Sequence, residues 1–511
     1  MATITEALTL ALDLHIAGRL GEAQELYARI LDADPDQPDA LHFLGVLTGQ
    51  VGQGEVGLPL IARALVFRPE AEDIHANRGN LLRGLERLGE AADAYRRALA
   101  LRPDFAEAWT DHASALRGLG DGDGAIAALG RAVRAAPDLE AARERLAALL
   151  HERGRLLIEA GRASLALPFL FRAVELAPLD ADLAFLLGNA LYAADLREDS
   201  LAPYRRALML VPDFLSATLN LGIALGQTGR PDVAVAVLSH AVRIDPTHLD
   251  ALENLIPALY ALGREAEANV WAGAALREKN RQAVAHAPAL PELPAAPRAA
   301  EARTRDVVVF GLWGSSAPHR QGAIENARLV PVLYPGWICR IYHDDSTPAA
   351  ILAELAASGA ELVAMAPGSG ARSGPYWRFF ASDDPTVRRF LCRDCGSRVG
   401  PGEAAAVKAW IASEQPFHIM RTHVLQTDLI PAGQWGGIAG LLPELRGLAE
   451  RFARADTSRR PEQGFLRRFV WPAIRDHALI HDRTHDGLGL PFPDGADGPF
   501  DGSTAFRGGQ A

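Results

Sequence analysis

Cysteine and lysine are nearly missing from this chain. Three cysteines stand in 511 residues, too few for a disulfide framework, so a reducing compartment is expected. Lysine occurs only at Lys279 and Lys408; almost all basic charge is arginine, a bias expected of a GC-rich bacterial genome. No apolar run reaches the roughly 20 residues a membrane span needs. The opening "MATITEALTLALDLHIAGRL" has no basic n-region and carries acids within its apolar pattern, so it reads as a helix and not as a signal peptide. A cytoplasmic protein without membrane insertion is the expectation. A basic footprint is missing too. The net charge is −11; residues 305–511 hold 22 basic and 22 acidic side chains, and residues 1–304 hold 30 and 41. Neither part offers the charge that nucleic-acid binding needs.

What is present is ordinary globular material, 49% hydrophobic and 23% charged, long enough for two or more domains. Its first part is periodic. Pro35, Pro69, Pro103 and Pro137 are 34 residues apart, as are Pro178, Pro212 and Pro246. The one irregular step, Pro137 to Pro178, is 41 residues. The extra seven amount to about two helical turns, so a helix can lengthen without turning its apolar face away; the region near "LLHERGRLLIEAGRA" is where this is expected. Each unit, for example "RLGEAADAYRRALALRP" (87–103), shows helical patterns around a Gly-centred turn. Gly45, Gly79, Gly188 and Gly222 lie ten residues after a repeat proline, where helices would cross closely. The proline ends the second helix because it lacks an N–H and restricts the residue before it. This pattern resembles the tetratricopeptide (TPR) repeat and predicts an α-solenoid of about eight repeats over residues 3–279.

Asn77, Asp111, Asn220 and Asn254 each lie eight residues after a repeat proline. Stacked along an inner groove, such side chains could hydrogen-bond an extended peptide backbone. The arrangement resembles the asparagine ladder of TPR-containing protein O-glycosyltransferases, and these four are the candidate acceptor-binding residues. The other reading is that each bonds within its own helix pair. Phe43, Arg145 and Leu186 interrupt the series.

An Ala/Pro-rich linker, residues 280–304, reads as a semi-extended, protease-sensitive spacer. The period then changes. "DVVVFGLWG" (306–314), "WICRIYHDD" (337–345), "AELVAM" and "VRRFLCRD" read as strands, with "GAIENARLVPVLY" and "AAILAELAASG" as helices between them. Strand and helix alternating at this spacing predict an α/β domain with a largely parallel sheet over 305–487. Ligands of such sheets sit outside the carboxyl ends of the strands, where "GLWGSS", "HDDS" and "RDCGSR" would meet. The Gly- and Asp-rich tail, 488–511, is expected to be disordered.

The stretch "RRFLCRDCGSRVG" (388–400) admits three readings: a CxxC for zinc or redox chemistry, a strand end entering a Gly turn, or part of a metal-binding carboxylate pair. The succession "GLWG", "GAIENARL", "YPGWICRIYHDDSTP", "GPYWRFFASDDPTV", "RDCGSR", "PFHIMRTH" and "GQWGG" resembles a bacterial family of GT-A-like glycosyltransferase domains, some of them found behind TPR repeats; the resemblance covers about residues 306–485. In that family the stretch reads Asp-x-Asp-Ser-Arg, and the paired carboxylates hold a divalent cation, Mn²⁺ or Mg²⁺, that bridges the diphosphate of a nucleotide sugar. Asp394, Ser397 and Arg398 match; Gly396 replaces the second carboxylate. An Arg-Asp-His element appears as Arg421-Thr422-His423, while an acidic-Gln-x-Phe-Leu element survives in "PEQGFL", with Glu462 and Gln463.

The resemblance implies Asp394 at the metal, with His481 as a candidate second ligand. Arg378, Arg393 and Arg398 would offset phosphate charge, with Asn326 and Ser397 in the same nucleotide-sugar site. Trp313, Trp377 and Trp435 have faces suited to stacking on a base or sugar, or to core packing. Glu462 and Asp428 are candidate general bases. Within "ALIHDRTHDG" (478–487), His481, Asp482, His485 and Asp486 fit either one helix face or a loop. For the CxxC, His418, His423, His481 or His485 would have to complete a zinc site, since Cys339 stands alone. The expected function is transfer of a sugar from a nucleotide sugar to a protein or peptide held by the TPR groove. The alternative is a non-catalytic TPR adaptor whose α/β domain has lost turnover.

Overall fold

The computed structural model describes residues 3–288, 292–295, 297, 300–455, 461–485 and 487–493. It divides into two compact units, residues 1–224 and 225–511.

The first unit is built of antiparallel helix pairs. Its first helix, Ile4–Ile16, starts at a capping box in which Thr3 and Glu6 exchange hydrogen bonds, which satisfies two backbone N–H groups that the helix start would otherwise orphan. The second helix of each pair ends at Ala33, Phe67, Leu101, Ala135, Leu176 and Leu210, two residues before a repeat proline in every case. The turn inside each pair is held in the left-handed region. Gly18, Gly52, Gly120 and Gly161 have φ of 70–81°, and Glu86 and Asp195 occupy the same repeat position at 59° and 64°. Glycine serves there because it lacks the Cβ that disfavours positive φ.

Two further features follow from the repeat. The Gly79 Cα faces the Tyr95 ring so closely that a Cβ would come within 2.6–2.8 Å of it, and Gly188 meets Tyr204 in the same way. The seven-residue insertion lengthens one helix: Glu140–Glu159 has 20 residues where Ala106–Gly118 has 13.

The second unit contains the helices Pro231–Ile244, Leu249–Ala261 and Glu265–Ala285, with left-handed turns at Gly229 and Gly263 continuing the repeat position. A seven-stranded sheet follows. Its strands are β1 (Arg305–Leu312), β2 (Ile338–His343), β3 (Glu361–Ala364), β4 (Val387–Arg393), β5 (Phe417–Arg421), β6 (Gln434–Ile438) and β7 (Ala478–Asp482), in the order β3-β2-β1-β4-β6-β5-β7. The pairs β1–β2, β2–β3, β1–β4 and β5–β7 are parallel, whereas β4–β6 and β5–β6 are antiparallel. The sheet is therefore mixed and not largely parallel as expected. Residues 422–433 connect β5 to β6 without a helix; lacking a crossover helix, the chain turns back beside β5 in the antiparallel sense.

Both faces of the sheet are covered. Val307 and Val309 point into one core with Phe390, Phe417 and Trp435, while Val308, Phe310 and Leu312 point into another with Ala323, Leu391 and Trp410. Two-sided burial explains why β1 is continuously apolar instead of alternating. Leu276 and Ala283 of helix Glu265–Ala285 belong to the first of these cores, and Leu293 of the Ala/Pro stretch packs against it. The last repeat helix thus shares a core with the sheet. Leu490, inside the segment expected to be a disordered tail, pairs with the backbone of Ile480 and Asp482; residues 494–511 lie outside the described residues. No helix among the described residues is long and apolar enough to cross a membrane.

Candidate functional site

From β1, the chain proceeds to β2 and β3 on one side and places β4 on the other. Such a reversal opens a crevice at the carboxyl ends of the two central strands. A pocket of about 660 Å³ lies there, lined among others by Trp313, Ser316, His319, Arg378, Asp394 and Glu462. Beyond β1, the Trp313 ring packs edge-to-face on Trp377 at 5.8 Å. Gly370 and Gly374 make room for it: a Cβ on either would come within 2.4–2.5 Å of Trp313. Beyond β4, Asp394 projects half-exposed and accepts a hydrogen bond from Nη1 of Arg378. Arg378 comes from the 3-10 helix Gly374–Ser382 and is only 7% exposed. Burial disfavours its charge, but Asp394 and Glu462 outweigh burial and raise its pKa. Glu462 is supplied by the short helix Pro461–Phe465, whose neighbouring Gln463 donates to the Ile430 carbonyl (2.9 Å) and accepts from the Ala432 N–H (3.1 Å).

The structure thus gathers Trp313, Arg378, Asp394 and Glu462 around one pocket. It places the other sequence candidates elsewhere. Asn326 is fully buried and ties down the loop after β4, donating to Ser397 O (2.8 Å) and accepting from Val399 N–H (3.0 Å). Arg393 is buried against Glu403 and donates to Cys392 O. Arg398 pairs with Glu325. Trp435 is core: its ring stands edge-on to Phe379 and Phe390, at 5.7 and 5.2 Å. Asp428 lies 3.5 Å from the Lys279 ammonium and does not line the pocket. Thr422 accepts from the Gln434 amide at 3.1 Å.

His481 is buried on β7, its Nδ1 2.8 Å from His418 Nε2; burial lowers the pKa of both. Residues 483–485 form a loop, in which Asp482 accepts the backbone N–H groups of Thr484 (3.0 Å) and His485 (2.9 Å) and pairs with Arg421. Asp486 lies outside the described residues.

Among the described residues no group of three or more His, Cys, Asp or Glu could hold a metal ion. The Asp394 carboxylate is engaged by a buried guanidinium, and position 396 offers no side chain. The cysteines carry no zinc or redox arrangement either. All three are free and buried; Cys392 donates to Arg378 O and Cys395 to Gly311 O, and burial pushes the Cys392 thiol up to about 12.

The four ladder candidates all have partners. In the first unit, Asn77 bonds His42 (2.9 Å), Asp111 lies 3.6 Å from Arg83, and Asn220 donates to Asn189 (2.8 Å). Burial raises the Asp111 carboxyl. In the second unit, Asn254 donates to Asp250 O of its own helix at 2.7 Å.

Sequence reasoning missed Ser316, His319 and Arg372 in the pocket. His319 sits in the first turn of helix Ala317–Leu333 with Nδ1 2.5 Å from Ser316 Oγ. Its signal was its position: a histidine entering a helix straight after the Gly/Ser loop that ends β1.

A tetratricopeptide repeat model matches residues 76–140 and 219–283. Solved structures similar to the chain include YrrB, described as a TPR protein with an unusual peptide-binding site (24% identity, 38% of this chain and 95% of that one, TM-score 0.28). MamA is another (23%, 36% and 98%, TM-score 0.29), as is a tetratricopeptide repeat protein from Parabacteroides merdae (16%, 50% and 98%, TM-score 0.29). No curated protein matches the chain. The matched stretches of the helical repeats are tetratricopeptide repeats.

Proposed function

We propose that this TPR protein is a glycosyltransferase whose α/β domain takes a nucleotide sugar and whose repeats hold a protein or peptide acceptor. TPR repeats suggest protein binding, which supports the acceptor half of the reading. The observation that carries the catalytic half is the convergence of Trp313, Arg378, Asp394 and Glu462 on a pocket at the β1/β4 strand ends. Those are the ends of "GLWG", "GPYWRFF", "RDCGSR" and "PEQGFL", four separate pieces of the resemblance to GT-A-like domains. The chemistry asks for an aromatic face for base or sugar, a cation against the departing diphosphate, and a carboxylate to take the proton of the attacking hydroxyl. Trp313, Arg378 and Glu462 supply these groups, with Asp394 orienting the guanidinium.

A second reading, a non-catalytic TPR adaptor, is favoured by one observation: both lost acids, at Gly396 and Thr422, belong to this same domain. Turnover separates the two. The full chain is incubated with UDP-, GDP- and dTDP-sugars plus cell-lysate protein, and nucleoside diphosphate release and protein labelling are followed. Release that disappears in Glu462→Gln supports the enzyme. Nucleotide binding without release from any donor supports the adaptor, and neither binding nor release refutes the nucleotide-sugar reading.

A further inference from the structure

We infer that the strand-end pocket receives the diphosphate of its ligand on a fixed protein cation, the Arg378 guanidinium, together with the open start of helix Ala317–Leu333, and works without a divalent metal. The inference rests on the nucleotide-sugar reading and concerns how that site meets phosphate.

Three observations lead here. First, Arg378 lines the pocket although it is 93% buried, and while Nη1 is held by Asp394, its Nε has no hydrogen-bond partner. Nε is closed off from solvent, so a ligand in the pocket would meet the Nη groups of that planar fork.

Second, the helix Ala317–Leu333 begins at the pocket with its cap unused. Ser316 accepts no hydrogen bond from the first-turn N–H groups; its hydroxyl is turned to His319 instead. The first turn carries no acid, and because Pro318 has no N–H its donors are reduced to those of Ala317 and His319. Unsatisfied N–H groups and the positive end of the helix dipole attract phosphate. Ser315, Ser316 and His319 place that helix start on the pocket wall, whereas Arg372, also in the lining, donates to the Ala453 and Arg454 carbonyls.

Third, the carboxylates of the pocket serve the arginine. Asp394 bonds it and Glu462 acts on its charge. A divalent ion on Asp394 would sit against the guanidinium and repel it. In the family pattern two carboxylates bring in a cation; here one carboxylate holds a cation that is part of the chain.

Calorimetry on the full chain tests this, with UDP and GDP as probes in EDTA, then in Mn²⁺ or Mg²⁺. The expected result is that at least one nucleotide binds in EDTA and that metal changes its affinity less than about threefold. Arg378→Met should weaken binding by about tenfold or more, the worth of a charge-assisted pair. Gly396→Asp, read alongside in case the arginine variant fails to fold, should weaken binding in EDTA by adding a negative charge and should make binding respond to Mn²⁺. Binding that requires metal by tenfold or more overturns the inference and leaves the nucleotide reading standing. Unchanged binding of Gly396→Asp in EDTA also overturns it. No binding of either nucleotide in any condition refutes the nucleotide reading itself.

Discussion

Replacing Lys279 by methionine removes the ammonium that ties the last repeat helix to the sheet domain. The side chain is 5% exposed; it pairs with Glu253, lies 3.5 Å from Asp428 and donates to the Thr427 carbonyl at 2.8 Å. Methionine keeps the aliphatic stem, so packing is largely retained and the electrostatic part is isolated. Loss of a charged hydrogen bond to a carbonyl costs about 1.5–3 kcal/mol. The two carboxylates are 36% and 31% exposed, so solvent screens them, and each pair adds about 0.5–1 kcal/mol at most. Recovered desolvation of the ammonium offsets part of this, while two carboxylates left facing each other without a cation work the other way. The expected loss is about 2–3 kcal/mol. For a unit of this size that is a shift of roughly 3–5 °C in its calorimetric transition. Hydrogen exchange should speed up together in helix Glu265–Ala285 and in residues 422–430, because Leu276 and Ala283 share the sheet core and both segments would loosen as one. An unchanged transition in Lys279→Met, or faster exchange in the helix alone, would falsify the claim that this lysine couples them.

Cleavage by a protease within residues 286–300 is expected to leave helices 231–285 bound to the sheet domain on gel filtration, contrary to what a free spacer implies; separation of the fragments would refute the shared core. Gly79→Ala should destabilise the first unit by about 1–3 kcal/mol, because the new methyl meets the Tyr95 ring and that ring is anchored through its hydroxyl to Asn80 at 2.7 Å; a neutral outcome in denaturant melts would show that the helices can separate freely. Thiol reagents at pH 8 should modify native Cys392 very slowly, since a thiol pushed up to about 12 is only about one part in 10⁴ thiolate; rapid labelling before unfolding would contradict its burial. Stability should also fall toward acid. His418 and His481 are held below their ordinary values by burial, so the unfolded chain binds more protons and stability is lost as pH drops below about 6.5. Asp482, lowered by His485 and backbone N–H groups that outweigh its burial, adds a further loss below about 4. A melting temperature flat between pH 7 and 4 would refute the histidine assignment, and the absence of a further fall below pH 4 would refute that of Asp482.

The repeats were legible because their signal is local. A proline two residues past each second helix and a left-handed turn every 34 residues are backbone demands that sequence must meet at fixed positions, and Glu86 and Asp195 show the turn persisting even where glycine is absent. Strand β1 was legible for a related reason: burial on both faces leaves an unbroken apolar run. Strand β6 was not. Its core is "QWGG", and glycine carries no strand preference. Gly436 is there because β4 passes so close that a Cβ would lie 2.3 Å from Phe390 O, a fact of pairing that no single strand announces. The site was half legible. Chain motifs located Trp313, Arg378, Asp394 and Glu462, but not that Arg378 and Asp394 pair with each other, because a 3-10 helix, not a regular repeat, brings them together. Asn326 and Arg393 were drawn into the site by their neighbours in sequence, although their side chains are spent on holding the loop and the helix after β4.

Gly396 lies three residues beyond the end of β4. A glycine after a strand invites a conformational explanation, namely that the turn requires positive φ. The backbone does not support it, since Gly396 is not among the residues in the left-handed region. Nor is the space closed: a Cβ there would touch only the His319 ring, at 3.3–3.5 Å, close enough to need a small adjustment of one side chain. Fold alone therefore does not dictate glycine. An aspartate at 396 would stand beside Asp394 and His319, adding negative charge where a ligand's phosphates are proposed to lie. With a divalent cation to offset it, that charge is an asset; with Arg378 already holding Asp394, it is repulsive to phosphate. The missing carboxylate and the buried arginine then have a single explanation, and the Gly396→Asp titration in EDTA and Mn²⁺ decides between that explanation and the simple decay of a metal site.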